Sequence, residues 1–150
     1  MSFPLYNQDE SLGRIVGRAA LSLANRLNRL FSEAGHDVTV EQWVLLMELW
    51  HRDGQFQQQI ADATFKNKTN VTRLINGLEK RNLVVRVPDP VDRRHKRIYL
   101  TRKAKALQKE LKLLARENID FAITDIDPGE LAVCRKVLRK IMSNIQTNNG

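Results

Sequence analysis

The sequence predicts a mainly α-helical chain whose only strands form one β-hairpin, and two observations carry this prediction. Over most of the 150 residues, apolar side chains recur every three or four positions, which is the pattern of amphipathic helices. Only at 83–87 and 97–100 does this pattern give way to the short β-branched runs that are typical of strands. With seven glycines and four prolines the chain has little linker, so we expect one domain with helical extensions.

Two helices are predicted before Asp53-Gly54, which ends the second of them. In the first, apolar residues fall on one face at positions 12, 16, 19, 23, 27 and 30, and Gly35 ends the pattern. Thr39 and Gln42 have the spacing of a capping box, which predicts the start of the second helix. Residues 43–50 are apolar almost all round, so we expect this helix to be buried in the middle of the fold.

Two shorter helices are predicted next, the first of them around 57–63 with Ile60 and Ala61 facing inward. Asn67 is placed to cap the other one. The apolar stripe of that helix consists of Val71, Leu74, Ile75 and Leu78. Asn82 follows where a left-handed residue commonly ends a helix.

Two long helices are predicted to complete the chain after the hairpin. Thr101 is placed to cap the first, and Asp127-Pro128-Gly129-Glu130 is a strong start signal for the second. The stripe of the last helix consists of Leu131, Cys134, Leu138, Ile141 and Ile145. We expect Cys134 to be a buried core residue. As the one cysteine of the chain it cannot form an internal disulfide, which fits a reducing compartment.

The positive charge of the chain is concentrated between residues 66 and 105. This window holds thirteen lysines and arginines against three acidic residues. Because the whole chain carries a formal net charge of +8, the rest of it is slightly acidic. A cationic segment of this kind usually presents a surface to a polyanion, and DNA is the leading candidate.

The order of two short helices and a β-hairpin is that of a winged helix-turn-helix domain, whose second helix enters the major groove of DNA. Opposite the apolar stripe, this helix carries Thr69, Thr72, Arg73 and Asn76. Lys68 lies beside this face at the N-terminal end, and the amide of Asn70 is a further candidate for contacting DNA. Arginine pairs bidentately with guanine and asparagine with adenine, while hydroxyl and amide groups reach phosphates or bases. A solvated polar face without a partner is the alternative interpretation.

The loop of the hairpin carries five consecutive basic residues at 93–97. We expect Arg93, Arg94 and Lys96 of this wing to contact DNA, and we expect the two adjacent arginines to diverge. One of them, which we assign as Arg94, enters the minor groove, where a narrow groove concentrates negative potential, while the other pairs with Asp92 or a phosphate. Asp92 is expected to orient one of the arginines through a salt bridge rather than to contact DNA. An ordinary exposed loop is the alternative interpretation.

Two motifs of the chain resemble those of the multiple-antibiotic-resistance regulator family (MarR/SlyA). The family motifs are T-R-L-x-x-x-L-E-x-x-G-L-V-x-R in the recognition helix and D-x-R-R/D-x-R-x-x-x-L-T in the wing. The matching pieces are Thr72-Arg73-Leu74, Leu78-Glu79, Leu83-Val84, Asp92-Arg93-Arg94 and Leu100-Thr101. The family's glycine is replaced by Asn82, which tolerates the same left-handed backbone. The match is most specific over 39–103 and extends more loosely to both ends.

This resemblance implies a homodimeric transcriptional regulator, more specifically a repressor, of a pseudo-palindromic double-stranded DNA operator. It implies a helical dimerisation region at 8–34 and 102–150 and a winged helix-turn-helix domain at 39–101. It also implies a small aromatic or phenolic effector, for which Trp43, Met47 and His51 are the candidate contacts. The helical spacing of these three residues is equally typical of side chains buried in the hydrophobic core, and we favour that interpretation.

The apolar stripes of the terminal helices exceed what one small winged domain needs for its own core. We therefore expect them to pack against a second copy of the chain, with intramolecular packing as the alternative. The expected dimerisation residues are Leu12, Val16, Leu131, Leu138, Ile141 and Ile145.

Other classes of protein find little support in the sequence. No apolar run approaches the roughly 18 residues that span a bilayer, and the N-terminus lacks the plan of a signal peptide, so we expect a cytoplasmic protein. The histidines His36, His51 and His95 are isolated and no metal-ligand spacing occurs, so we expect neither enzyme activity nor a metal or cofactor. An architectural winged-helix protein that binds DNA without an effector remains the alternative function.

Overall fold

The computed structural model describes residues 11–148. The ends of the predicted dimerisation region, 8–10 and 149–150, and the N-terminal stretch used to predict location lie outside the described residues. In chain order the elements are α1 (Leu12–Glu33), α2 (Val40–His51), β1 (Gln55–Phe56), α3 (Gln57–Thr64), α4 (Lys68–Lys80), β2 (Val84–Pro88), β3 (Lys96–Leu100), α5 (Arg102–Ala122) and α6 (Pro128–Asn148). The chain divides after Asn118 into two compact units.

Helix α2 lies at the centre of the first unit. The predicted capping box is present, because the backbone N–H of Gln42 donates to Thr39 Oγ1 at 3.2 Å and that of Thr39 donates to Gln42 Oε1 at 3.1 Å. Leu45, Leu46 and Leu49 are fully buried, as predicted. Burying one such leucine side chain stabilises a fold by about 1.5–3 kcal/mol, so these three residues are a large part of the core.

Helices α3 and α4 bury the residues that the sequence predicted. Ile60 and Ala61 of α3 are buried, and so is the α4 stripe of Val71, Leu74, Ile75 and Leu78. Asn67 caps α4, since its Oδ1 accepts the backbone N–H of Asn70 at 2.7 Å. A helix that buries one face directs the opposite face to solvent, and the polar side of α4 is therefore exposed.

The hairpin belongs to a three-stranded antiparallel sheet in the order β1-β3-β2. Strands β2 and β3 pair from Val84↔Leu100 to Pro88↔Lys96, which confirms the predicted hairpin. Strand β1 was not predicted, because two residues are too short to show a strand period. The buried side chain of Gln55 fixes it by donating to the carbonyl oxygens of Arg52 and Glu48 at 2.6 and 3.3 Å. The result confirms a mainly helical winged helix-turn-helix fold.

Helices α1 and α5 are joined by a buried polar contact in addition to apolar packing. Asn118 is 2% exposed; its Oδ1 accepts from Arg26 Nη1 at 2.9 Å and its Nδ2 donates to the Leu23 carbonyl at 3.1 Å. Thr101 caps α5 as predicted, because its Oγ1 accepts the backbone N–H of Ala104 at 3.2 Å. Buried amides are stable only when hydrogen-bonded in this way.

The second unit contains the end of α5 and helix α6. Asp127 caps α6 as predicted, with its Oδ2 accepting the backbone N–H of Glu130 at 3.1 Å. No side chain between 128 and 147 is buried within the single chain. The expectation that Cys134 is a buried core residue is therefore wrong, since its thiol-bearing side chain is exposed.

None of the helices between residues 11 and 148 combines the length and the apolar character that a membrane span requires.

Two non-glycine residues at the ends of α3 and α4 have left-handed backbones, which allows a prediction about stability. Phe65 has φ 56° and is 70% exposed, and Asn82 has φ 59°. A left-handed conformation costs an ordinary residue about 1–2 kcal/mol, whereas asparagine tolerates it. Glycine adopts this conformation without the cost. It also lowers the free energy of unfolding by about 0.4–1 kcal/mol, because the unfolded chain gains conformational entropy.

Phe65→Gly should therefore raise the free energy of unfolding by up to about 1 kcal/mol, because little burial is lost. Asn82→Gly, the matched control, should be neutral or slightly destabilising. Urea denaturation of both variants measures the difference. An equal gain in both variants, or a loss in Phe65→Gly, would show that the left-handed backbone at Phe65 is not strained.

Candidate nucleic-acid interface

The exposed side of α4 gathers most of the residues predicted to contact DNA. An open depression runs along it and is lined by Lys68, Thr69, Thr72, Arg73 and Asn76. Asn70 does not line this depression and is half-buried beside it. Lys80 and Arg81 extend the same surface toward the end of the helix, and the sequence analysis had not included these two cations.

Arg73 is held in a defined position by two acceptors. Its Nη2 donates to Glu41 Oε2 at 2.8 Å and to Asn70 Oδ1 at 2.6 Å. Both members of the ion pair are well exposed, with 64% and 53% of their side-chain surfaces accessible. Exposed pairs contribute about 0–1 kcal/mol, so the guanidinium can exchange Glu41 for a DNA acceptor at little cost.

The hydroxyl of Thr72 already has partners within the protein. It donates to the Lys68 carbonyl oxygen at 2.9 Å and accepts from Nε2 of Gln57 on α3. The position of α4 relative to α3 is therefore fixed by a polar contact as well as by the buried stripe. This arrangement uses the donor of Thr72, so its side chain offers DNA chiefly its methyl group.

Asn76 is held from the wing side by Arg86 of strand β2. Arg86 Nη2 donates to Asn76 Oδ1 at 2.6 Å, and Arg86 Nη1 donates to Glu79 Oε1 at 2.9 Å. Only 18% of the Arg86 side-chain surface is accessible, against 45% for Glu79. One guanidinium therefore connects the sheet to two positions of α4 that lie three residues apart.

The base of the wing is organised by Asp89, a residue to which the sequence analysis assigned no role. Its carboxylate accepts the backbone N–H groups of Val91 and Asp92 at 3.2 and 3.1 Å and pairs with Arg97 Nε at 3.0 Å. Arg97 in turn donates to the Gly54 carbonyl at 3.0 Å and lies over the Phe56 ring, 4.1 Å from its centroid. These contacts anchor the loop to β1.

Hydrogen bonds to this carboxylate also change its acidity. The backbone N–H of Asp92 and the guanidinium of Arg97 hold the pKa of Asp89 below its ordinary value, against the opposing effect of desolvation. Hydrogen bonding to the charged form of a carboxyl favours that form. Asp89 is therefore an anion at neutral pH, which is the state that the loop geometry needs.

The tip of the wing contains the salt bridge that the sequence predicted for Asp92. Arg94 donates through Nε to Asp92 Oδ1 and through Nη2 to Asp92 Oδ2, each at 3.1 Å. The same guanidinium, followed by the backbone N–H of Arg94, lowers the pKa of Asp92. Arg93 and Lys96 are exposed, and the Arg93 side chain makes no hydrogen bond or ion pair with residues 11–148. The expectation that the other arginine would pair with Asp92 is therefore wrong, because Arg94, the arginine assigned to the minor groove, makes this pair itself.

A cleft joins the wing to the recognition helix. It is lined by Lys68 at the start of α4, by Arg86 of β2 and by Arg94 and Lys96 of the wing. Four cations from three elements thus line one concave surface, whose positive charge would attract a phosphate group, although Glu79 and Asp92 partly neutralise Arg86 and Arg94. The predicted helix and wing residues are therefore parts of one cationic surface.

The candidate effector contacts do not form a common cavity wall in this chain. Trp43 is buried and packs edge-to-face against Phe31 and Trp50, with ring centroids 5.7 and 5.5 Å apart. Met47 and His51 are exposed. The favoured interpretation as core is confirmed for Trp43 and is wrong for Met47 and His51, whose side chains are exposed.

Across residues 11–148, no three His, Cys, Asp or Glu side chains are grouped closely enough to hold a metal ion.

Four residues of this surface had no assigned role in the sequence analysis: Glu41, Gln57, Arg86 and Asp89. Each holds another polar side chain or a loop in place. Only Arg86 carried a signal, since it occupies the arginine position of the recognition-helix motif. The others depend on contacts between elements, which a one-dimensional pattern does not contain.

Comparison with known proteins gives a consistent result. A family model described as MarR family matches residues 36–95. The HTH-type transcriptional repressor NicR of Pseudomonas putida is 26% identical over 145 residues, which cover 95% of this chain and 92% of NicR.

Solved structures give the same result over nearly the whole chain. The crystal structure of transcriptional regulator PA3341 is 30% identical, with a TM-score of 0.77 over 91% of this chain and 99% of that one. Bordetella bronchiseptica BpsR shares the fold at 24% identity, with a TM-score of 0.83 over 91% of this chain and 96% of BpsR.

The lowered pKa of Asp89 gives a pH-dependent prediction for Asp89→Asn. The variant should be less stable than wild type at pH 7, because asparagine keeps no charge for Arg97 and only one acceptor oxygen for three donors. Asp89 stabilises the fold fully above its unfolded pKa of about 3.9, and this stabilisation is lost as the pH falls through the lower folded value.

The difference in free energy of unfolding between wild type and Asp89→Asn should therefore be constant from pH 7 to about 5 and shrink below about pH 4. Urea denaturation at stepped pH measures it. Asp62→Asn, on the exposed side of α3, serves as the control. A difference that grows on acidification would contradict the assignment.

Proposed function

The chain belongs to the MarR family of transcriptional regulators, and we propose that it is a homodimeric, sequence-specific DNA-binding repressor that acts in the cytoplasm. In this proposal α4 enters the major groove and the basic wing enters the minor groove of a pseudo-palindromic operator. The chain acts by binding and catalyses no reaction.

One observation carries the proposal: the polar face of α4 and the wing form one continuous cationic surface. Arg73 and Asn76 project from the helix where base edges would lie, and Arg94 extends from the wing with its guanidinium aligned by Asp92. Lys68 lies between them in the cleft. This spacing of a helix beside a cationic wing matches the way winged domains contact both grooves.

The proposal includes dimerisation through the terminal helices. Leu12 and Val16 of α1 are exposed, Leu131, Leu138 and Ile141 of α6 are only half-buried, and Ile145 is exposed. Apolar stripes of this length usually mark a protein interface. Two copies related by a two-fold axis would present two α4 helices to the two halves of a palindrome.

Repression and release by an effector are the parts of the proposal that rest on relatives. NicR is a transcriptional repressor, and the DNA binding of BpsR is regulated by 6-hydroxynicotinic acid. We propose a small aromatic effector for this chain on that basis, with Met47 and His51 as candidate contacts. Titrating small aromatic acids into the protein–DNA complex and following anisotropy would test it.

Arg73→Ala should abolish the preference for one operator base pair per half-site, at a cost of about 1–3 kcal/mol for a bidentate contact. A selected duplex, scanned at every base pair with wild type and variant, measures this. Lys80→Ala is the matched control and should weaken all sequences equally. Identical preference profiles in wild type and Arg73→Ala would refute base reading by Arg73, and a wild type without any preference would favour an architectural DNA-binding protein.

Arg94→Ala should weaken operator binding and reduce the slope of log K against log salt by about one unit, because one phosphate-neutralising cation is lost. We expect a smaller effect from Arg93→Ala, since Asp92 aligns Arg94. Anisotropy titrations at stepped salt decide, with Arg18→Ala on α1 as the control. A larger effect of Arg93→Ala would reverse the assignment, and wild-type slopes in both would exclude the wing from the interface.

Leu138→Glu should convert the dimer to a monomer, because it introduces a buried charge at the proposed α6 seam. Lys140→Glu, on the opposite side of the same helix, should leave the dimer intact. Light scattering on both variants measures the mass. Removal of 131–150 should have the same effect as Leu138→Glu, and a dimer that survives this truncation would place the interface elsewhere.

A further inference from the structure

The hydrogen bond between Arg86 and Asn76 restricts what Asn76 can present to DNA. Arginine has only donors, so the Asn76 atom that faces Arg86 Nη2 at 2.6 Å must be the carbonyl oxygen. The amide nitrogen then points away from Arg86 and makes no hydrogen bond with residues 11–148. Asn76 therefore offers two free donors, while one acceptor site of its oxygen is already used.

The position of Arg86 makes this restraint firm. Arg86 is 18% accessible, lies on a strand paired with β3, and is fixed at its other end by Glu79 Oε1 at 2.9 Å. Glu79 also neutralises the guanidinium, which reduces its attraction to a phosphate. The geometry is that of a residue that holds a neighbour rather than one that binds DNA itself.

The bases differ in the pattern they show in the major groove. Guanine presents two acceptors, N7 and O6, whereas adenine presents the acceptor N7 beside the donor N6–H₂. An asparagine that is free to turn grips adenine by accepting from N6 and donating to N7. An asparagine whose oxygen is directed at Arg86 is not free to turn so that its oxygen and nitrogen face N6 and N7 together, which disfavours this pair, whereas its two N–H donors match guanine.

We infer that Arg86 is a positioning residue that holds the Asn76 amide with its NH₂ group toward DNA, so that Asn76 reads guanine rather than adenine. This inference rests on the proposed function, in which α4 enters the major groove. It corrects the general pairing of asparagine with adenine that the sequence alone suggested.

The test uses the full-length protein and a duplex panel with each base pair varied in turn. Asn76→Ala first identifies the base pair that Asn76 reads, as the one whose preference it abolishes. Wild type should prefer guanine there. In Arg86→Met, which removes the donors but keeps an extended side chain, the preference for guanine over adenine should fall by about fivefold or more, with other positions unchanged.

Two further variants separate positioning from direct contact. In an Asn76→Ala background, Arg86→Met should cause no additional change at this base pair, and its slope of log K against log salt should equal that of Asn76→Ala. Arg18→Met is the matched control, because Arg18 is an exposed arginine of α1 that lies outside the cationic surface of α4 and the wing. It should leave the preference profile unchanged.

Arg86→Lys keeps the charge and one donor group, so its preference for guanine over adenine should lie between those of wild type and Arg86→Met. This variant tests the inference if Arg86→Met does not fold. A wild-type preference for adenine, an unchanged profile in both Arg86 variants, or a change that persists without Asn76 would overturn the inference. If wild type still prefers particular base pairs of the duplex in any of these cases, the result leaves the proposed function intact. A wild type without any base preference would contradict both the inference about Arg86 and the proposed sequence-specific function.

Discussion

The buried stripe of α4 is the constraint on which the rest of the surface depends. Val71, Leu74, Ile75 and Leu78 are all in the core, and successive residues of a helix are rotated by about 100°. The stripe therefore fixes the rotation of α4 about its own axis. A shift of one residue would turn Arg73 and Asn76 out of the candidate DNA-binding surface, so the apolar core decides the direction of the polar side chains.

Around this helix, four arginines of the candidate interface are each paired with an acidic side chain of the protein, whereas Arg93 pairs with none among residues 11–148. The pairs are Arg73–Glu41, Arg86–Glu79, Arg94–Asp92 and Arg97–Asp89. Exposed pairs contribute little stability and exchange easily, so Arg73 and Arg94 can keep a defined geometry before DNA arrives. The less accessible Arg86 and Arg97 serve the structure of the sheet and wing.

The apolar surface has a different distribution in each unit. In the first, Leu12, Ile15 and Leu21 of α1 are more than half exposed although Leu27 and Phe31 of the same helix are buried. In the second, α6 buries no side chain between 128 and 147. Such surface is unfavourable in water, which is the physical reason for including a second copy of the chain in the proposed function.

The sequence by itself determined the helices, the caps and the faces that carry the apolar stripes, because these depend on neighbours within four residues along the chain. The hairpin was predicted from two short strand-like runs joined by a loop. The capping box of Thr39, the cap at Asn67 and the left-handed backbone of Asn82 were all predicted from such local patterns. The Asp92 salt bridge was predicted for the same reason, since its partner Arg94 lies two residues away.

Only the tertiary structure decided which side chains hold Arg73 and Asn76, the candidate base-reading residues. Arg73 and Glu41 are 32 residues apart in the chain, and Asn76 and Arg86 belong to different elements. Strand β1 escaped prediction because its pairing with β3 spans more than 40 residues. Cys134 was misplaced because an apolar stripe shows which face of a helix is apolar but not whether the same chain covers it. Contacts of this kind depend on how the helices and strands pack. The spacing of residues along the sequence does not show how far apart two such elements lie in the fold.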